Sequence, residues 1–323
     1  MPHDHTAASG GPGRLSPDEA LRHTARAARA SMAVAALLVV TKGVVWWLSG
    51  SVALLASAAD SLLDLTASLT VYFSLRYAAA PADAEHRFGH GKAEAFAGIM
   101  QAILVAVSAA LLVREGVAHL VDPRPVEAGG WALGVMVLSI GLTLVLLYVQ
   151  TRAVEKTGSV AVEGDRAHYF SDLAANLAVI VGIGGATLMG WLWLDAVAAL
   201  AVAVWLGWTA LGVARNAADQ LMDRELPDEE RQRILDIASS DPRIIDIHQL
   251  RTRAAGPLLH IQFHMALSPD MSLRDAHSIL VDCENRLMQT YPAADILIHA
   301  DPHGAAQPHG AEFFQAQGDG EDP

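Results

Sequence analysis

The fold is decided by the apolar stretch at residues 52–77, which reads VALLASAADSLLDLTASLTVYFSLRY. A helix needs about 20 mostly apolar residues to cross a bilayer, and this stretch is longer than that. The sequence therefore predicts a membrane-spanning helix here, and five further stretches of similar character bring the number to six. They lie at 30–48, 93–120, 131–154, 160–189 and 191–213.

The overall composition is also that of a membrane protein. Of the 323 residues, 52% are hydrophobic and only 18% are charged, whereas soluble domains have about 25% charged residues. The net charge of −13 argues against nucleic acid as a partner. The single cysteine, Cys283, excludes a disulfide framework or a cysteine-based zinc cluster within one chain. Any metal would be held by nitrogen and oxygen atoms, and the chain has 14 histidines.

Positive charges predict the orientation of the spans, because Lys and Arg concentrate in cytoplasmic loops. On one side of the six predicted spans Lys and Arg are frequent, whereas on the other side only Arg114 and Arg124 occur. This asymmetry predicts a multi-pass membrane protein with both termini on the cytoplasmic side. The residues on the richer side are Arg14, Arg22, Arg26, Arg29, Arg76, Arg87, Lys92, Arg152, Lys156, Arg166 and Arg215.

Beyond the last span the composition becomes that of a small soluble domain. Helices and strands are predicted in the order α-β-β-α-β, with strands at 244–250, 258–267 and 295–299. The predicted fold is a membrane all-α six-transmembrane-helix bundle with a C-terminal cytoplasmic α+β, metallochaperone-like domain. The predicted boundaries are a disordered, basic N-terminal tail at 1–25, a transmembrane domain at 26–217, a cytoplasmic domain at 218–302 and a disordered tail at 303–323.

Two pairs of metal-ligand side chains lie inside the predicted spans. Asp60 and Asp64 occur in the second span, and His168 and Asp172 occur in the fifth. Each pair is spaced i, i+4 and so shares one helical face, and all four side chains are predicted near the middle of the bilayer. An aspartate there costs about 2.5–3.5 kcal/mol on insertion scales, which a divalent cation would offset. The alternative is a set of helix-end residues or an internal hydrogen-bond network.

The donor atoms narrow the choice of metal. Three carboxylates and one imidazole suit a tetrahedral site. Because thiolate and thioether are missing, Cu(I) is disfavoured, and because imidazole is present, Mg²⁺ and Ca²⁺ are disfavoured. Zn²⁺ fits best, while Cd²⁺, Fe²⁺, Co²⁺ and Ni²⁺ stay open.

The segments 57–64 (SAADSLLD) and 168–172 (HYFSD) resemble the cation diffusion facilitator family, and the resemblance extends from the first span to Pro302. Carried over by position, the four side chains of the two pairs correspond to the family's transport site. The resemblance implies a secondary transporter, not an enzyme, that exports Zn²⁺, with Cd²⁺ and Fe²⁺ as further substrates, and takes protons as the counter-ion.

The loop at 81–92, PADAEHRFGHGK, resembles a second, cytoplasmic metal site of the family. The matching ligand positions are Asp83, His86 and His90. The pattern departs at Ala84, where the family has a second aspartate, and a solvated polar loop is the alternative. The sequence contains no nucleotide-binding motif, so nucleotide is not expected as a partner and an ion gradient would have to drive transport.

The predicted cytoplasmic domain offers five more candidate ligands. His248 and His264 lie on predicted strands, His299 and Asp301 end the last strand, and His277 lies on the facing helix. Strand ends and helix could gather all five, although any one of these histidines alone would more often be a surface residue. The resemblance implies a binuclear zinc site bridged by Asp301 and a homodimer formed through this domain.

Two other functions compete with transport. A membrane-anchored metal sensor needs no ligands in the middle of the membrane, so the two pairs of metal-ligand side chains favour a transporter. An intramembrane metal hydrolase is disfavoured because the His-Glu-x-x-His and Gly-x-Ser-x-Gly motifs are missing from the sequence. Four protein ligands would also leave zinc no open position for water. The sequence leaves open the proton stoichiometry and the resting conformation.

Overall fold

The computed structural model describes residues 11–50, 52–121, 130–189 and 193–304. Residues 1–10 and 305–323, which belong to the two predicted tails, lie outside the described residues. The chain divides into two compact units. The first contains the residues up to Arg224 together with Arg253–Leu259, and the second contains Glu225–Thr252 and the residues from His260 onward.

The first unit is built from six long helices. Among the described residues, four helices are long and apolar enough to cross a membrane, and they comprise most of α1, α3, α4 and α6. This unit is therefore a helical membrane domain. Its helices are α1 (Pro17–Ser49), α2 (Val52–Ala78), α3 (Ala93–Val121), α4 (Gly130–Thr157), α5 (Val160–Met189) and α6 (Leu194–Leu221).

The first helix begins well before the first predicted span. The Ser16 hydroxyl accepts a hydrogen bond from the Glu19 N–H, and the Glu19 carboxylate accepts one from the Ser16 N–H, which is a capping box. Pro17 occupies the first turn, where its missing N–H is not needed. Residues 17–25, which were predicted as part of a disordered tail, are therefore helical, because these local signals start the helix before the apolar residues begin.

Small residues bring the helices of the membrane domain close together. α1 packs against α2 and α4, and α3 packs against α5 and α6. Ala27 of α1, Ala97 of α3 and Ala161 of α5 belong to one buried cluster. At Gly164 an added Cβ would lie 2.7 Å from the Cβ of Gln101, so only glycine permits this approach of α5 to α3. Such contacts are typical of membrane helices, and here they position the helix that carries His168 and Asp172.

After α6 the helices and strands follow the order α-β-β-α-β, as the sequence predicts. A three-stranded sheet has the strand order β1-β2-β3. On β2, Ile261, Phe263 and Met265 are buried, as the alternation of the sequence predicts. β1 is longer than predicted and reaches the turn at Gly256, whose φ of 57° favours glycine. The elements are α7 (Asp228–Ala238), β1 (Asp246–Ala255), β2 (Leu258–Leu267), α8 (Leu273–Thr290) and β3 (Ala294–Pro302).

Candidate metal centres

The membrane cluster consists of Asp64 on α2 and His168 and Asp172 on α5. Ligand atoms of the three side chains all lie within 4.8 Å of one another. His168 Nε2 is 3.0 Å from Asp64 Oδ1 and 3.9 Å from Asp172 Oδ2. The side chains of Asp64 and His168 are only 10% and 8% exposed. The structure thus brings three of the four predicted membrane ligands together in a largely buried position.

Asp60 lies outside the membrane cluster, although the sequence predicts it as the fourth ligand. It is one helical turn before Asp64 on α2, and it is exposed whereas Asp64 is buried. Next to it, the Lys42 ammonium of α1 donates hydrogen bonds to Ser61 Oγ at 2.7 Å and to the Ser57 carbonyl at 3.3 Å. A change in the Asp60 side chain or in the rotation of α2 would be needed to bring all four donors to one ion.

A buried polar network supports the face of α5 that carries His168. Asp165, one turn before His168, accepts hydrogen bonds from Ser31 Oγ at 2.6 Å and from Gln150 Nε2 at 2.8 Å. The Tyr169 hydroxyl donates to the Ser31 carbonyl at 3.2 Å. These bonds join α1, α4 and α5 around the membrane cluster. The sequence analysis missed Asp165, although a carboxylate in a long apolar helix is itself a signal of function.

The loop cluster contains Asp83, His86 and His90, whose ligand atoms also lie within 4.8 Å of one another. Asp83 Oδ1 accepts hydrogen bonds from the backbone N–H groups of His86 and Glu85, which is a turn that aspartate favours. The hydrogen bond from the His86 backbone is the main reason why the pKa of the Asp83 carboxyl is lowered. Asp83 Oδ2 lies 3.3 Å from His90 Nε2, and the His90 side chain is only 5% exposed. The structure therefore gathers the three predicted loop residues.

The C-terminal cluster is arranged around Asp301, whose side chain is 8% exposed. Its Oδ2 lies 2.8 Å from His264 Nδ1 and 3.3 Å from His248 Nε2, and its Oδ1 lies 3.3 Å from His299 Nε2. Burial opposes ionisation of the Asp301 carboxyl, but the hydrogen bond from His264 and the charges of the histidines outweigh it and lower its pKa. Its two oxygens thus face different histidines.

His277 is not among the residues gathered around Asp301. The helix α8 buries Ile279, Cys283 and Leu287. His277 lies two positions before Ile279, about 200° around the helix, and is exposed. His277, predicted as a ligand from its place on this helix, thus lies on a face that α8 turns away from its buried residues.

Asp246 is a neighbour of this cluster that the sequence analysis missed. Its Oδ2 lies 3.1 Å from His248 Nδ1, which leaves the other ring nitrogen directed at Asp301. A carboxylate behind a histidine ligand fixes the orientation of the ring and its tautomer. The signal was available, because residues two apart on a strand point to the same face.

Two parts of the chain match known protein domains. Residues 28–222 match the cation efflux transmembrane domain, and residues 226–303 match the cytoplasmic domain of cation efflux proteins. The chain is 39% identical over 292 residues to the cation-efflux pump FieF of Citrobacter koseri, which covers 90% of this chain and 97% of that protein. It is 40% identical over 294 residues to FieF of Klebsiella pneumoniae, with coverage of 91% and 98%.

Solved structures give a partial match to the C-terminal part. The metal-bound C-terminal domain of the CzcD transporter from Thermotoga maritima is 22% identical. The match covers 25% of this chain and all of that domain, with a TM-score of 0.24.

Proposed function

Because the chain belongs to the cation efflux family of metal transporters, we propose that it exports Zn²⁺ from the cytoplasm in exchange for protons. Cd²⁺ and Fe²⁺ are proposed as further substrates. The observation that carries the proposal is the membrane cluster of Asp64, His168 and Asp172. These side chains are costly in a bilayer unless they bind an ion or one another.

The donor set supports Zn²⁺ as the main substrate. Two carboxylates and an imidazole in one cluster, with Asp60 one turn away, offer the oxygen and nitrogen donors that Zn²⁺ accepts in tetrahedral sites. Fe²⁺ and Cd²⁺ accept overlapping donor sets, so a site of this type discriminates among them by geometry and by availability of the metal.

Exchange for protons follows from the chemistry of the ligands. A carboxylate or imidazole must lose its proton before it binds metal, so metal and protons compete for one site. If the site faces the two sides of the membrane in turn, metal leaves on the side where protons bind. A proton gradient directed into the cell would then drive metal out.

We further propose six spans in the inner membrane with both termini in the cytoplasm; helix lengths support the spans, and the distribution of Lys and Arg supports the orientation. α2 has 27 residues and α5 has 30, which at 1.5 Å per residue exceeds the roughly 30 Å of a bilayer core. α1 ends at Ser49 and α2 begins at Val52, and likewise α4 ends at Thr157 and α5 begins at Val160. Connections this short return the chain across the membrane directly.

We also propose a homodimer formed through the C-terminal domain, with zinc bound around Asp301. The match to the cytoplasmic domain of cation efflux proteins supports this placement. The two Asp301 oxygens face different histidines, which is the geometry needed for a carboxylate that bridges two ions. Leu297 on β3 is 64% exposed, and a second copy of the domain would cover it.

The competing function is a membrane-anchored metal sensor. A sensor would need only the loop cluster or the C-terminal cluster, and nothing would then compensate the cost of the ligands on α2 and α5. The membrane cluster therefore favours transport over sensing.

Metal uptake into inverted membrane vesicles tests the proposal. Zn²⁺, Cd²⁺, Fe²⁺ and Mn²⁺ are compared with and without an imposed pH gradient. Zn²⁺ uptake should be fastest when the vesicle lumen is acidic, because protons then leave as metal enters, and a protonophore should slow it. Uptake that ignores the gradient would contradict proton exchange, and uptake by His168→Ala at the normal rate would contradict the membrane site.

A further inference from the structure

A groove of about 540 Å³ opens between α4, α5 and α6 of the membrane domain. This volume is in the range of small-molecule binding pockets. Polar side chains line one end and aromatic side chains line the other. The polar end includes Glu163, Arg166 and Asn216, and the aromatic end includes Phe170, Trp205 and Trp208.

The groove is distinct from the membrane cluster. On α5 it is lined by Glu163, Arg166, Ala167 and Phe170, whose positions follow the helical repeat over two turns and therefore share one face of the helix. His168 is two residues from Arg166 and so projects from a different face of α5. A ligand in the groove would not touch the metal ligands.

The two ends of the groove lie at different depths. Arg166 is six residues after the start of α5 at Val160, or about 9 Å along the helix axis. Trp208 is thirteen residues before the end of α6 at Leu221, or about 20 Å. Since α5 starts and α6 ends on the same side of the membrane, the polar end lies near a headgroup layer and the aromatic end lies among acyl chains.

The charged side chains at the polar end of the groove form no ion pair with any residue in the described part of the chain. Arg166 makes no hydrogen bond or ion pair with any residue that the structure describes. Glu163 accepts a hydrogen bond from Asn216 Nδ2 at 3.3 Å and forms no ion pair with Arg166. At the other end, the rings of Phe170 and Trp205 contact each other at a tilt of 52°, with centroids 4.6 Å apart. The groove thus presents one cation and one anion at one end and an apolar aromatic wall at the other.

We propose that this groove binds a phospholipid of the phosphatidylethanolamine class. Its phosphate would bind the Arg166 guanidinium, which matches the geometry of phosphate oxygens. Its primary ammonium would donate hydrogen bonds to the Glu163 carboxylate, and one acyl chain would lie against Phe170 and Trp205. A phosphatidylglycerol headgroup offers Glu163 no cation, and the quaternary ammonium of phosphatidylcholine has no N–H to donate.

Native mass spectrometry of the full-length protein, delipidated and then titrated with single phospholipids, tests the proposal. The wild type should retain phosphatidylethanolamine about tenfold more strongly than phosphatidylglycerol or phosphatidylcholine. Arg166→Gln should weaken binding of all three lipids, whereas Glu163→Gln should abolish the preference for ethanolamine. Arg215→Gln is the matched control, because Arg215 is an exposed arginine on α6 that does not line the groove.

A second pair of variants separates occupancy of the groove from loss of charge. Gly212 lines the groove, and an added Cβ there would meet nothing within 4 Å. Gly212→Leu should therefore fill the groove and displace the lipid, whereas Gly207→Leu, equally open but outside the groove, should not. The proposal is overturned if Arg166→Gln and Gly212→Leu retain lipid as the wild type does, or if phosphatidylglycerol is retained equally well.

Discussion

Replacement of Asp64 by asparagine is the most direct test of the membrane cluster. The substitution keeps the shape of the side chain and removes one negative charge. Asp64 Oδ1 lies 3.0 Å from His168 Nε2, and the Asp64 side chain is 10% exposed. Because little water can replace the lost charge at a buried position, the effect on a bound cation should be large.

The size of the effect follows from the separation of the charges. Two unit charges about 4 Å apart interact by about 4 kcal/mol at an effective dielectric constant of about 20, and the double charge of the metal raises this to about 8. Two effects offset much of this lost attraction. The asparagine oxygen remains a weak ligand for the metal, and a charged carboxylate no longer has to be desolvated at this position. A net loss of about 3 kcal/mol corresponds to a Kd raised about 100-fold.

The assay is Zn²⁺ uptake by the purified protein in proteoliposomes, with the other two clusters left intact. Asp64→Asn should raise the apparent KM about 100-fold, with normal folding checked by circular dichroism and size-exclusion chromatography. Asp270→Asn makes the same chemical change at an exposed position in the loop before α8 and should leave uptake unchanged. An Asp64→Asn protein with a KM within about threefold of the wild type would refute the assignment of the membrane cluster as the transport site.

Three further outcomes are expected. The Asp241 carboxyl has its pKa lowered from 3.8 to about 2, mainly by the side-chain hydrogen bond from Arg243. The stability that this bond contributes is therefore complete at neutral pH and is lost as the pH falls from about 4 through 2. Asp241→Asn should lower the melting temperature at pH 7 and not at pH 2. An equal decrease at both pH values would contradict this. Gly164→Val should lower the melting temperature because its Cβ would meet an α3 side chain at 2.7 Å, whereas Gly207→Val, with open space around it, should not; equal melting temperatures would contradict the packing argument. Asp301→Asn should remove both zinc ions of the C-terminal cluster in calorimetric titration, and the loss of only one would contradict a bridging role.

The predicted ligand residues that the structure brings together are those whose proximity is fixed by local geometry. His168 and Asp172 share a face of α5 because of their spacing, and the turn around Asp83 gathers its own histidines. The predictions that differ from the structure concern the rotation of an element. Asp60 has the right spacing from Asp64, but spacing on one helix does not say how far α2 is turned toward α5.

The same reason explains the difference at His277, whereas the start of α1 and the groove have other reasons. His277 is on the predicted helix, but the face that α8 buries depends on which apolar side chains pack on the sheet, and those are Ile279, Cys283 and Leu287. The early start of α1 had a readable signal in Ser16 and Glu19, which the search for apolar residues passed over. The groove at Arg166 could not be predicted, because it requires the relative positions of three helices.

The three clusters use similar donors but differ in what must move for a metal to bind. Asp83, His86 and His90 lie within one loop, so closing that site costs little chain entropy. The residues around Asp301 run from His248 to the end of β3 and converge only in the folded domain, so a metal there stabilises that fold. The membrane cluster instead joins α2 to α5, so a bound metal favours one arrangement of these two helices over others. A transporter needs its cargo site at a contact that changes during the cycle. Among the clusters in the described part of the chain, the membrane cluster alone joins two membrane helices, which supports the proposal that it is the transport site.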